Sequence, residues 1–373
     1  MVVVNRPDAL KEYVPAWERL AAEALEPNVF YEPWMLLPAW HCLGPGLDLR
    51  VALVFQSGTL CGVFPLERER RYRELPVETF RLWKHPHCFL STPLLRANQA
   101  AATLAAFFEW LAADRGLPSL IEFQYVSGDG PFSQLLVDEL NRRELLSFVA
   151  ERFTRALFRP VAGGMAYVEG ALSGKRRKEL RRQAKRLSEH GRTHYVELTP
   201  RDDPRAWIRE FLRLEARGWK GKDGGALAAD HATREFFTTV AVEAFQRDRL
   251  MMVALTLDGR PIAQKCNFLA APGAFAYKIA YDEDYAGYSP GVQLEIEHIR
   301  RLAQRPEIAW MDSCAAWNHF MASRLWTERR TIQTVVVATG RWPSDWVVSV
   351  LPLRVWLRHR LTRGNIIQRK ARF

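Results

Sequence analysis

The stretch YKIAYDEDYAGYSPGVQLE (277–295) sets an acidic, tyrosine-rich loop between a predicted strand and a predicted helix. Asp282 and Glu283 stand where the strand ends, and Tyr288, Ser289, Pro290, Gly291 and Val292 open the helix. A carboxylate at a strand end is placed to take a proton from a reacting group, and a tyrosine beside it can return one. The helix start suits a different task. The first four N–H groups of a helix lack internal partners, and the dipole there favours negative charge, so a phosphate is a natural guest. Ser289 suits the N-cap, Pro290 the first helical position and Gly291 the close approach of a ligand. Lys278, on the strand leading in, adds a cation. The same tripeptide is also simply a good way to begin a helix, whose buried face is expected at Val292, Ile296, Ile299 and Ala303.

Further along, Asp312 closes the apolar run IAWM (308–311), an unusual place for a purely solvated acid. His319 follows on the next predicted helix and is a candidate proton shuttle, although a lone histidine is more often structural. Two basic stretches offer anion contacts. KRRKELRRQAKR (175–186) sets eight cations, among them Arg176, Arg177 and Arg181, against one acid, Glu179. Leu172, Leu180, Ala184 and Leu187 give it a thin apolar stripe, as expected of a surface helix. WKGKDGG (219–225) reads as an exposed loop in which Trp219, Lys220 and Lys222 would meet an acceptor. Other chemistries find no support. There is no Gly-x-Ser-x-Gly or Ser-His-Asp order, no Gly-x-Gly-x-x-Gly after a strand, and no Cys-x-x-Cys, so neither a hydrolase triad nor a dinucleotide site nor a metal is expected.

The elements that must position these residues follow from pattern. The 373 residues are enough for two domains, and 48% hydrophobic with 25% charged residues describes a folded chain. A net charge of +11 and a pI near 9.6 favour anionic partners: nucleic acid, an acidic membrane surface or a phosphate-rich co-substrate. Five dispersed cysteines and the lack of an apolar window long enough to span a bilayer point to a cytoplasmic protein. Helices are expected at about 10–24, 34–42, 100–113 and 132–143, and a strand at 120–126. In the second half, helices are expected from 204 to about 218 and over 231–246, then the hairpin LMMVALTL–DG–PIAQKCNFL, a third strand FAYKIAY, the helix after Ser289, a strand at 308–312, a helix at 319–326 and a last strand TIQTVVVAT. The Asp258-Gly259 turn is a type I′ signal. The hairpin around Ser57-Gly58 resembles it, which suggests two related lobes of α+β type with a boundary near 159–164. The expected division is 1–160, 165–342 and a basic C-terminal helix and tail, 343–373.

Five stretches taken in order, SGKRRKELRRQAKRL, LEARGWKGKDGGAL, DGRPIA, YKIAYDEDYAGYSPGVQLE and MDSCAAWNHFMASRLWTERR, resemble the CelD/BcsL-type branch of the GNAT acyltransferases. That group is related to the FemABX-type peptidoglycan-bridge aminoacyltransferases. The resemblance covers about 167–339, and the first half matches only loosely, through FYEPWMLLPAW and its hairpin. It implies two tandem GNAT-like lobes, each a mixed, mostly antiparallel sheet that splays open, with acyl-CoA held where the strands part. Its pyrophosphate would lie on Tyr288–Val292, although Gly287-Tyr288-Ser289-Pro290-Gly291 departs from the superfamily's Gln/Arg-x-x-Gly-x-Gly/Ala loop. Acyl transfer needs a base for the acceptor proton and an acid for the leaving thiolate, roles that fall to Asp312, Glu283, Asp282, His319 and Tyr288. An aminoacyl-tRNA donor and a non-catalytic GNAT-shaped binding protein are the rival readings. The resemblance further implies work on exopolysaccharide or envelope precursors. The arginine-rich C-terminus, with no acid after Asp345, reads either as a basic amphipathic helix resting on an anionic membrane or as a helix packed on the body with a tail.

Overall fold

The computed structural model describes residues 1–160, 164–218, 221, 224–316 and 321–353. These divide into two compact units: Met1–Glu26, Gly46–Phe153 and Thr331–Phe373 in the first, Pro27–Pro45 and Thr154–Arg330 in the second. Both are mixed α/β and follow one strand plan. In the second unit, Thr193–Glu197, Leu250–Leu257, Arg260–Ala270 and Gly273–Tyr281 form an antiparallel run. Trp310–Asp312 then joins in parallel, and the end of Ser147–Phe158 pairs antiparallel with it. The first unit repeats this with Val2–Val4, Leu49–Gln56, Thr59–Glu69 and Thr79–Leu82, the parallel strand Leu120–Ser127, and the end of Glu328–Ala338. Each sheet is thus closed by a strand from the other half of the sequence. The point near 160 is one of several crossings between units, and residues 331–342 belong with the first.

The related hairpins are present as expected. Ser57 and Gly58 have φ of 47° and 76°, Asp258 and Gly259 of 48° and 81°, the paired left-handed conformations of a type I′ turn. Five strands were not expected from the sequence: Val2–Val4, Thr79–Leu82, Leu94–Leu95, Ser147–Phe158 and Thr193–Glu197. Four of them are short, and Ser147–Phe158 interleaves charged with apolar residues over a mostly exposed first half, which blurs the period-two signal.

Within the second unit, Gln264 Nε2 donates to the Trp207 carbonyl at 3.0 Å, while its neighbour Lys265 bonds Glu295 at 2.7 Å. Successive strand residues point to opposite faces, so helices Pro204–Arg217 and Pro290–Leu302 cover opposite sides of this sheet. The first face is aromatic: Phe211 packs on Phe237, which stacks on Tyr277, and Phe30 and Trp34 of the 27–45 segment meet Phe275 and Phe268. The second face gathers Leu294, Ile299 and Leu302 with Val253, Ala263, Ala274 and Met311. The buried face of helix Pro290–Leu302 therefore runs through Leu294, Glu295, His298, Ile299 and Leu302. Val292 and Ile296 are only half-buried, a rotation from the expected face that brings two polar side chains inward. No helix among the described residues is long and apolar enough to cross a membrane.

Candidate active site

Strand Gly273–Tyr281 is the spine of the site. It pairs with Trp310–Asp312 over three residues only, Gly273, Ala274 and Phe275, and beyond them its outer edge has no ladder partner among the described residues. On its inner side the register slips between Cys266 and Asn267, whose partners are Lys278 and Ala276, so Tyr277 is an extra residue bulged into the strand. A bulge bends a strand and sharpens its twist. The two parallel strands accordingly part, and the longer one runs on to the 3₁₀ turn Glu283–Tyr288 and helix Pro290–Leu302.

The helix start differs from the expected cap. Ser289 holds φ 52°, ψ 51°, a left-handed conformation that is costly for a residue with a Cβ, and its hydroxyl caps nothing. Pro290 has no N–H, and Val292 and Gln293 donate to the Ser289 carbonyl at 3.0 and 3.1 Å. Among the first helical residues, Gly291 alone keeps an N–H without an acceptor among the described residues. A Cβ placed on Gly291 would lie 3.5 Å from Tyr281 and 3.7 Å from Ile279, ordinary contact distances. The glycine is therefore not demanded by packing or by backbone angle. Beside this turn lies helix Gly174–Ser188, joined to it where His190 Nε2 and the Tyr288 hydroxyl meet at 2.7 Å. Of its eight cations, Arg182 pairs with Glu179 and Arg177 donates to the Glu169 carbonyl; the side chains of Arg176, Arg181 and the other four make no hydrogen bond or ion pair among the described residues. Leu180 and Leu187 are buried as expected, whereas Ala184 is exposed.

The expected carboxylates have separate fates. Asp312 is fully buried, takes Arg155 at 2.6 Å and Arg330 at 3.1 Å on one oxygen, and accepts the Cys314 N–H on the other. Burial alone would raise its pKa, but the two guanidiniums prevail and hold it below the usual carboxylate range. So clamped, it is a poor base, which corrects its expected role. Asp282 is also structural: it caps the 3₁₀ turn through the Asp284 N–H and takes Arg260 at 3.1 Å. Lys278 reaches the buried Glu215, 3.6 Å away. Glu283 borders a small, shallow cleft with Leu214, Glu215, Gly218, Ile279, Ala280 and Tyr281. Trp219, Lys220, Lys222 and His319 lie outside the described residues.

Sequence reasoning missed a buried network under the helix. Lys265, 3% exposed, donates to Glu295, 1% exposed, at 2.7 Å, and the other Glu295 oxygen takes the Trp326 indole N–H at 3.1 Å. Burial lowers the Lys265 pKa although Glu295 opposes the shift. One turn on, His298 Nδ1 meets the Tyr195 hydroxyl at 3.0 Å, and burial, with Lys265 and Arg305 nearby, holds the imidazole far below its ordinary basicity. The signal lay in the spacing: Glu295 and His298 share one helical stripe with Leu294 and Ile299.

Residues 174–320 match the family profile described as an acetyltransferase (GNAT) domain. Comparison with curated protein sequences finds no match. Among solved structures, FemX superposes with a TM-score of 0.57 at 9% identity, covering 89% of this chain and 97% of that one. A conserved protein of unknown function from Bacteroides thetaiotaomicron gives 0.53 at 12%, over 87% and 97%. The C-terminal domain of a protein from Agrobacterium fabrum described as a lysylphosphatidylglycerol synthetase gives 0.53 at 14%, over 88% and 92%. At such identities the likeness is one of fold, and it extends across both units.

Proposed function

We propose, from the premise that residues 174–320 form a GNAT acyltransferase domain, that the second unit moves an acyl group from acyl-CoA to an amine. The observation that carries this is the parting of strands Gly273–Tyr281 and Trp310–Asp312 after three paired residues, immediately before the Gly291 helix start. An extended acyl-pantetheine arm finds backbone hydrogen-bonding groups along the unpaired edge. Its pyrophosphate finds the Gly291 N–H, the Ser289 hydroxyl and the positive end of a 13-residue helix. The left-handed Ser289 is the strained backbone expected where a ligand is gripped.

The acceptor enters on the cleft side. The carboxylates of Glu215 and Glu283 border it, and carboxylates suit an ammonium group better than a hydroxyl. Glu283 takes the proton, and the neutral amine then attacks the thioester carbonyl directly, with no covalent enzyme intermediate. Tyr288, held by His190, stands near enough to the helix start to return a proton to the departing thiolate. The order of the five family-like stretches supports the CelD/BcsL-type branch and, with it, an exopolysaccharide or envelope precursor as acceptor. Glu283→Gln tests the chemistry: kcat should fall by about 10²–10³ with the KM for acyl-CoA unchanged, and an unaltered kcat would remove Glu283 from the mechanism.

The second reading, an aminoacyl-tRNA donor, is favoured by one observation, the six cations of helix Gly174–Ser188 that make no hydrogen bond or ion pair among the described residues. It predicts saturable tRNA binding whose affinity falls steeply with salt, and whose slope shrinks in Arg176→Gln/Arg181→Gln.

A further inference from the structure

Helix Pro290–Leu302 has an apolar arc too wide to fix its own rotation. From Leu294 round to Ile296 the arc spans two residue steps, about 200°, and takes in Val292, Ile299 and Leu302. Burial is non-directional, so several rotations would hide similar amounts of apolar surface. The observed one turns Leu294, Ile299 and Leu302 inward and leaves Val292 and Ile296 half-buried. Two polar side chains, Glu295 and His298, lie near the middle of that arc, and both are bonded from outside the helix.

These bonds converge on the place where the strands part. Lys265 is paired in register with Ile279, so the two side chains share one face of the sheet. Ile279 and Tyr281 are the side chains that a Cβ on Gly291 would meet. From strand Arg260–Ala270 the Lys265 amine reaches past strand Gly273–Tyr281 to within 3.9 Å of Met311 Sδ, on the strand that diverges from it. Ala274 and Ala276, small side chains on that face, leave it room. Glu295 lies four residues beyond Gly291 and thus one turn further on the same side of the helix. Lys265 holds one of its oxygens from the sheet, and the Trp326 indole holds the other. Turning the helix by one residue step, to bury Val292 and Ile296, would carry the Gly291 Cα about 3.5 Å around the axis, the full length of a hydrogen bond.

We infer that Lys265 and Glu295 are positioning residues for the acyl donor: their buried ion pair sets the rotation of helix Pro290–Leu302 and so aims the Gly291 N–H and the Ser289 hydroxyl at the open edge of strand Gly273–Tyr281. The inference rests on the acyl-CoA reading of that helix start. It gives the pair a purpose that stability does not. A buried ion pair can be replaced by apolar residues with little loss, and its best-attested use is to select one register among several.

The test is titration calorimetry of acetyl-CoA into the full chain and its variants, each shown to be folded by its melting transition. Lys265→Met/Glu295→Gln removes the ion pair and leaves at position 295 an amide without its lysine, so the helix gains by turning Val292 and Ile296 inward. Acetyl-CoA should then bind at least about tenfold more weakly. Lys265→Met/Glu295→Leu should bind within about threefold of wild type, because a buried leucine holds the same face inward. Glu295→Gln alone, isosteric but unable to accept from both donors, should weaken binding by about threefold and stands in if the first double variant does not fold. Wild-type affinity in both glutamine variants, or no rescue by the leucine variant, would overturn the inference and leave the acyl-CoA reading standing. A wild type that binds no acetyl-CoA would overturn both.

Discussion

Asp312 shows how a residue can look catalytic in sequence and be structural in three dimensions. An acid after four apolar residues does mark a buried, purposeful carboxylate, but what fixes its purpose are Arg155 and Arg330, 157 and 18 residues away in sequence. Removing one partner of a buried ion pair leaves the other charges uncompensated, so Asp312→Asn should destabilise the chain by about 3–5 kcal/mol at pH 7, measured by denaturant unfolding. The pH dependence has a definite sign. Because the folded pKa of Asp312 lies below its unfolded value, its stabilisation is complete above the ordinary carboxylate range and is lost as pH falls through the folded value. The gap between wild type and Asp312→Asn should therefore narrow below about pH 4. A similar logic applies to Lys265 and Glu295. Glu295→Leu or Lys265→Met alone should each lose about 3–5 kcal/mol, while the double variant should recover most of that loss, since it buries no unpaired charge. Additive losses would mean that the pair does not act as a unit.

At the scale of elements, the two type I′ hairpins and helices Ala100–Ala113 and His231–Gln246 were legible from Gly placement and 3.6-residue periodicity. Of the two closing strands, Glu328–Ala338 was legible as TIQTVVVAT and Ser147–Phe158 was not, and the partners of both were hidden, because each pairs with residues far away in sequence. Ser147–Phe158 meets Met311 and Asp312, and Glu328–Ala338 meets Leu120–Ser127. Local pattern has no means of registering such an exchange. The helix after Ser289 was placed correctly, but its rotation was not, because Glu295 and His298 read as solvent-facing until Lys265 and Tyr195 are seen to meet them. The cap illustrates the same limit: Ser-Pro-Gly signals a helix start, while the left-handed Ser289 depends on the 3₁₀ turn that feeds it. Helix Gly174–Ser188 yields its own prediction. Arg176→Gln/Arg181→Gln should weaken acyl-CoA binding by about threefold to tenfold at low salt, with the difference vanishing near 0.5 M, as expected of exposed charges.

For the whole molecule, one strand plan occurs twice, in different surroundings. In the first unit Phe64 stacks on Phe107 at 3.9 Å, and Phe80 and Phe123 fill the surrounding core. In the second, the outer edge of strand Gly273–Tyr281 runs on without a ladder partner among the described residues toward a glycine at a helix start. The proposed acyl transfer puts donor binding in the second unit. Titration calorimetry of acetyl-CoA into wild type, Gly291→Ala and Gly291→Glu tests this most directly. Saturable binding by wild type and by Gly291→Ala, whose methyl group has room, with at least about a tenfold loss in Gly291→Glu, is the predicted result. Acetyl-CoA binding that survives a carboxylate at position 291, or no binding by the wild type, would contradict it.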